Sequence, residues 1–149
     1  MSVHVEIATE ATDELVEGLN QLLPQLSTNA AALTIRDVDE LIASPSTTVF
    51  VARDEGRIVG SLTLVVFAIP TGRRAWIEDV VVDGTARGTG IGEALTNAAI
   101  EESRRRHARS LDLTTRPSRE AANRLYARLG FELRETNVYR RMINEEETD

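Results

Sequence analysis

The chain has no cysteine in 149 residues, and because all 17 of its basic residues are arginine it has no lysine either. Without cysteine there can be no disulfide, no thiolate metal site and no acyl intermediate on an enzyme thiol. Without lysine the Gly-Lys-Ser/Thr core of a P-loop cannot be written. Composition bias is a sufficient reason for an all-arginine chain. No apolar run approaches the ~20 residues of a membrane span. Residues 1–10 alternate valine and isoleucine with polar groups and contain no apolar signal core. Both absences place the expected location in the cytoplasm, away from membranes. Positive charge is also in short supply: the net charge of −7 argues against a general nucleic-acid partner.

What is present reads as one globular domain covering residues 1–149, with 42% hydrophobic and 28% charged residues. The most telling stretch is Ala86-Arg87-Gly88-Thr89-Gly90-Ile91-Gly92-Glu93, between the apolar run Trp76 to Val82 and a helix-like segment. Glycines let several backbone N–H groups point into one concavity, and a helix starting there adds unpaired donors and a positive dipole end. That combination suits a phosphate or pyrophosphate. A dinucleotide fingerprint needs a small residue where Glu93 stands, so a carboxylate would face the pyrophosphate. Arg-x-x-Gly-x-Gly, from Arg87 through Gly90 to Gly92, fits better.

Periodicity predicts the order β-α-α-β-β-β-α-β-α-β-β. Val3, Val5 and Ile7 alternate as a first strand. Thr12 or Asp13 caps a helix carrying Leu15, Leu19, Leu22, Leu23 and Leu26, with Pro24 expected to bend or end it. A short helix spans Thr34 to Ile42. Strands Thr48 to Ala52 and Arg57 to Ala68 flank the turn signal Asp54-Glu55-Gly56, and Pro70-Thr71-Gly72 precedes a strand from Arg74 to Val82. After the glycine loop come a helix to about His107, a strand Ser110 to Thr114 and a helix from Pro117-Ser118, with Gly130 as its C-terminal cap. Phe131 to Leu133 and Val138 to Ile143 are expected as a closing strand pair.

Two stretches carry candidate chemistry. Glu78 and Asp79 interrupt an apolar strand, where simple alternation sends them to opposite faces; as surface carboxylates neither would need a role. Asn123 and Tyr126 are i, i+3 on a helix and share a face; half-buried packing would account for the tyrosine.

Together these stretches resemble the GNAT N-acetyltransferases. Arg87 to Gly92 resembles their acyl-CoA pyrophosphate loop, and Asn123-Arg124-Leu125-Tyr126-Ala127-Arg128-Leu129-Gly130-Phe131 is similar to their later Asn-x-x-Tyr-x-x-x-Gly-Phe signature. The resemblance covers nearly the whole chain. Trp76 to Val82 followed by the glycine loop is most like the small-molecule diamine and polyamine enzymes of the family. It implies an α/β fold with a mixed, mostly antiparallel sheet of about seven strands flanked by about four helices. It implies acetyl-CoA as co-substrate, no metal, and transfer of the acetyl group to a primary amine by direct attack.

The resemblance also implies roles. Arg87, Gly88, Thr89, Gly90, Ile91 and Gly92 hold the pyrophosphate; Val80, Val81 and Val82 pair with the pantetheine arm on a bulged strand, assisted by Asn123. Tyr126 is the general acid for the leaving thiolate. Glu78, acting through water, is the leading base and Asp79 the second. The two carboxylates and the negative chain favour a cationic small molecule as acceptor. A protein N-terminal amine and a non-catalytic acyl-CoA-binding or sensing module remain as alternatives. A homodimer through an edge strand near Val138 to Ile143 is compatible with the sequence.

Overall fold

β1 (Val3–Ile7), β2 (Thr47–Asp54), β3 (Arg57–Ile69), β4 (Gly72–Val82) and β5 (Leu111–Asp112) form one sheet in sequence order in a computed structural model that describes residues 3–143. The first four strands are antiparallel to their neighbours and β5 is parallel to β4. Four α-helices occur among the described residues: α1 (Asp13–Leu26), α2 (Ile35–Ala43), α3 (Ile91–Arg105) and α4 (Glu120–Arg128). The chain falls into two compact units, residues 1–114 and 115–149, and α4 belongs to the second.

In the first unit, turn chemistry and capping set the element ends. Glu55 and Gly56 both have positive φ, at 51° and 85°, which gives the two-residue turn that lets Asp54 face Arg57. Thr12 caps α1 by accepting from the Leu15 amide at 3.1 Å. Thr34 and Asp37 form a reciprocal capping box on α2. Pro24 does not end α1, which runs on to Leu26. In the last turn its ring displaces only one helical bond, and Gln21 to Leu23 complete the turn before it.

The core lies on two faces of the sheet. Leu15, Leu19 and Leu22 of α1 and Val38 of α2 pack with Val51, Ile58 and Val81. Val51 and Val81 both lie opposite Ser61 in the ladders, so they share its face. The next residue, Gly60, faces the other way: a Cβ there would meet Ile91 and Leu95 of α3 at 3.0 and 3.2 Å. Thus α3 covers the face opposite α1 and α2, and its buried Ile91, Leu95, Thr96, Ala99 and Ser103 form the contacting stripe. Thr96 and Ser103 are buried yet satisfied, since their hydroxyls donate to Gly92 and Ala99 carbonyls at 2.7 and 2.8 Å.

The sheet has five strands where about seven were expected. The strand expected over Ser110 to Thr114 shrinks to Leu111–Asp112. Phe131 to Leu133 and Val138 to Ile143 carry no strand. Leu133, Val138, Tyr139, Met142 and Ile143 are all exposed. Arg140 and Arg141 interrupt the alternation there, so the segment lacks the continuous apolar face that would bury it against a sheet.

Candidate active site

In the first unit the candidate residues follow one another along β4, the glycine loop and the start of α3. The register of β3 with β4 slips within this run. Thr63 lies opposite Glu78 and Ser61 opposite Val81, so Asp79 and Val80 together face Leu62. This is a β-bulge, and Asp79 sits in it with φ of 51°, a left-handed conformation that aspartate tolerates better than most residues. The extra residue inverts the alternation. Ala75 and Ile77 are buried on one side of the bulge, whereas Val81, which would otherwise share their face, packs against α1. The bulge also leaves Glu78 and Asp79 both exposed, where plain alternation would have buried one of them.

Glu78 is not loose. Its Oε2 accepts from Trp76 Nε1 at 2.6 Å, a charge-assisted bond between side chains two residues apart on one strand face. Below the bulge β4 pairs with β5 only at Ala75 and Trp76. From Ile77 to Val82, therefore, the edge of β4 away from β3 has no strand beside it among the described residues. A strand edge without a strand partner can take an extended ligand that pairs like a strand.

The loop after β4 begins with a single 3-10 turn, Gly84–Ala86, and ends in α3. Gly88 and Gly90 have φ of 80° and 85°, and a Cβ on either would meet nothing within 4 Å. Glycine is needed there for its backbone angles, and the positions face open space. Gly90 is also the N-cap of α3 and, having no side chain, makes no capping bond of its own. The N–H groups of Ile91 and Gly92, at the first turn, lack intrahelical acceptors and point out of the helix. Arg87 lies alongside, its Nε donating to the Val82 carbonyl at 3.4 Å, and the Thr89 hydroxyl donates back to the Ala86 carbonyl.

The loop is tied to α1 as well. Gln25 Oε1 accepts from the Gly84 amide and its Nε2 donates to Asp83 Oδ1, both at 2.8 Å. Asp83 further accepts from the Thr85 hydroxyl and lies 3.8 Å from Arg57. The Thr85 and Gln25 bonds hold its carboxyl below the usual aspartate value. Sequence reading passed over Gln25 and Asp83, because partners 58 residues apart leave no periodic trace.

In the second unit, the expected start of α4 at Pro117-Ser118 is a turn, and the helix begins at Glu120. Asn123 closes that turn, since Nδ2 donates to the Arg116 and Arg119 carbonyls at 3.0 and 2.8 Å. Both amide hydrogens are therefore engaged, and Oδ1 is the atom left to accept from a ligand. The other end is a Schellman motif: Phe131 N–H donates to Tyr126 O at 2.9 Å and Gly130 N–H to Ala127 O at 3.1 Å. Gly130 takes the left-handed position, with φ of 98°. The motif folds the Phe131 ring edge-on to the Tyr126 ring, with centroids 5.6 Å apart. Tyr126 is half-buried, and burial pushes its phenol above the ordinary value against a smaller opposing pull from Arg119.

The first unit thus gathers Glu78, Asp79, Val80 to Val82 and Arg87 to Gly92 along one strand and the loop that follows it, and the second sets Asn123 and Tyr126 on α4 with Phe131 just beyond its end. No cluster of metal-ligating side chains occurs among the described residues.

Comparison with known proteins adds a family. The model of the acetyltransferase (GNAT) family matches residues 14–131. Glucosamine 6-phosphate N-acetyltransferase 1 of Oryza sativa subsp. japonica is 31% identical over 118 residues, covering 76% of this chain and 70% of that protein. An uncharacterized N-acetyltransferase of Methanocaldococcus jannaschii is 43% identical over 61 residues, 41% of this chain, and the match spans only 27% of its length. Among solved structures, a transcriptional regulator from Bacillus halodurans C-125 superposes with a TM-score of 0.81 at 27% identity, over 95% of this chain and 100% of that one.

Proposed function

The chain belongs to the GNAT family of acetyltransferases, and from that premise we propose that it moves an acetyl group from acetyl-CoA to the primary amine of a small cationic molecule. The observation that carries this reading is the bulged, half-paired β4 that runs straight into an open glycine loop at the start of α3.

The residues present fit an acyl-CoA. The open cradle at Gly88 and Gly90, the N–H groups of Ile91 and Gly92 and the Arg87 guanidinium suit a pyrophosphate. The unpaired edge from Val80 to Val82 suits an amide-bearing arm, which Asn123 Oδ1 would help to hold. Bound there, the co-substrate supplies an acetyl group already activated as a thioester.

This chain's own residues then move protons. Near pH 7 an aliphatic ammonium of pKa ~10.4 is not a nucleophile, so Glu78, directly or through water, removes its proton, with Asp79 beside it. The amine nitrogen bonds to the carbonyl carbon while the Val80 or Val81 N–H holds the developing oxyanion. The carbon–sulfur bond breaks, and Tyr126 gives its proton to the departing thiolate, which prefers a proton below pH ~8.5. With no cysteine in the chain, attack within a ternary complex needs no acyl-enzyme. The exposed carboxylates at Glu78 and Asp79 attract a cationic acceptor.

Free-thiol release from acetyl-CoA, followed against polyamines, amino sugars, glucosamine 6-phosphate and peptide N-termini, tests the reading. Small cationic amines are expected to stimulate release most. Stimulation by peptides alone would move the acceptor to protein N-termini. CoA binding without release by any amine would leave a binding or sensing module.

A further inference from the structure

The loop that the proposed function assigns to the pyrophosphate makes few contacts of its own. At Gly88 and Gly90 there is nothing within 4 Å of where a side chain would begin. Its shape is therefore set by its two ends. One end is α3, locked into the core through buried Ile91 and closed by the Ala94 amide on the Gly90 carbonyl at 3.0 Å. The other end is the 3-10 turn Gly84–Ala86, whose preceding residue, Asp83, makes no capping bond with its own side chain. That office is filled from outside. Gln25, near the end of α1, presents a planar amide whose oxygen takes the Gly84 N–H and whose nitrogen reaches Asp83 Oδ1. One side chain thus satisfies the orphan donor of the turn and orients the carboxylate that also receives Thr85 and faces Arg57.

We propose that Gln25 is a positioning residue for the donor: a two-point latch from α1 that holds the glycine loop in its binding shape before CoA arrives. The proposal rests on the reading of residues 87–92 as the pyrophosphate loop. Two solvent-exposed hydrogen bonds hold the loop only modestly. Without them the loop samples other shapes and only part of the population is competent to bind, which weakens apparent affinity by the inverse of that fraction. The latch touches no reacting atom, so its loss acts on donor binding and leaves the chemical step alone.

Gln25→Ala is expected to raise the Kd for CoA, measured by calorimetry, and the KM for acetyl-CoA about fivefold. Its kcat at saturating acetyl-CoA should stay within about twofold, and its melting temperature within about 2 °C. Gln25→Glu sets a second carboxylate against Asp83 and is expected to bind CoA at least as poorly at pH 7. The double substitution Gln25→Glu with Asp83→Asn reverses one hydrogen bond and keeps both, since the new carboxylate can accept from the new amide and from the Gly84 N–H. It is expected to restore CoA affinity to within about twofold of the parent. A Gln25→Ala protein that binds CoA as tightly as the parent overturns the latch, as does a double variant no better than Gln25→Glu. If the parent protein itself binds no CoA, the reading of the loop fails first, and the two failures are told apart by that one measurement.

Discussion

The glycine loop and α4 both carry candidate site residues, yet they are built in opposite ways. At the loop the backbone presents the chemistry: open N–H groups, left-handed glycines and a bulged strand, all bolted to α3 with its five buried residues. On α4 the side chains present it, and the helix buries no residue fully; Asn123 stitches its start and the Gly130-Phe131 turn closes its end. A site made of backbone is sensitive to what changes a dihedral angle and indifferent to most side chains. A site made of side chains is sensitive to the loss of one atom and to whatever aims that atom.

The sharpest break of this contrast is Tyr126→Phe. Removing only the hydroxyl is expected to lower kcat about 100-fold, the usual reach of a general acid, while the Kd for CoA changes less than about twofold. The pH profile sharpens it further. In the proposed mechanism the protonated phenol is the working form, and burial raises its pKa above the ordinary value near 10. Activity attributable to it should therefore persist through pH 9 and fall only above pH ~10, a limb absent from the Phe variant. Equal losses in kcat and CoA affinity would place Tyr126 with the binding groups.

Gly90→Ala is the counterpart on the backbone side. Its φ of 85° is strained for any L side chain by about 1–2 kcal/mol although no atom stands in the way. The expected result is roughly tenfold weaker CoA binding by calorimetry, with kcat at saturation little changed. The smallest effect belongs to Gly130→Ala. The same kind of strain falls on the Schellman turn, costing about 1 kcal/mol and lowering the melting temperature by about 2–4 °C. By loosening the Phe131 ring against Tyr126 it should lower kcat a few-fold and spare CoA affinity. A reversed outcome, with CoA affinity falling and kcat intact, would dissolve the division between the two regions.

The same division explains what could be read from the sequence. Strands and helices with strong periodicity, such as β2, β3 and α1, stand where hydrophobic spacing and the Asp54-Glu55-Gly56 turn put them. The glycine loop was legible because glycine itself marks backbone geometry. The bulge at Asp79 was not readable from residue spacing, since an inserted residue looks like ordinary alternation until its partner strand supplies the count; it entered only through the family resemblance. Contacts over long separations, such as Gln25 with Asp83, leave no mark in one sequence at all. The closing strands were over-read from Val138 to Ile143, where apolar residues occur without the alternation that buries them.

The bulge in β4 has one more consequence. A strand repeats every two residues, so a single extra residue works as a half-period phase shift, and β4 is two half-strands running out of phase. Before it, the odd-numbered side chains lie on one face; after it, Val81 has crossed to α1. Deleting Asp79 would therefore do more than remove a carboxylate. It would remove the bulge and let the strand alternate regularly, with Val80 alone opposite Leu62 and Val81 still opposite Ser61 and packed against Leu15, Leu19 and Leu22, so what the extra residue adds is the bent edge itself.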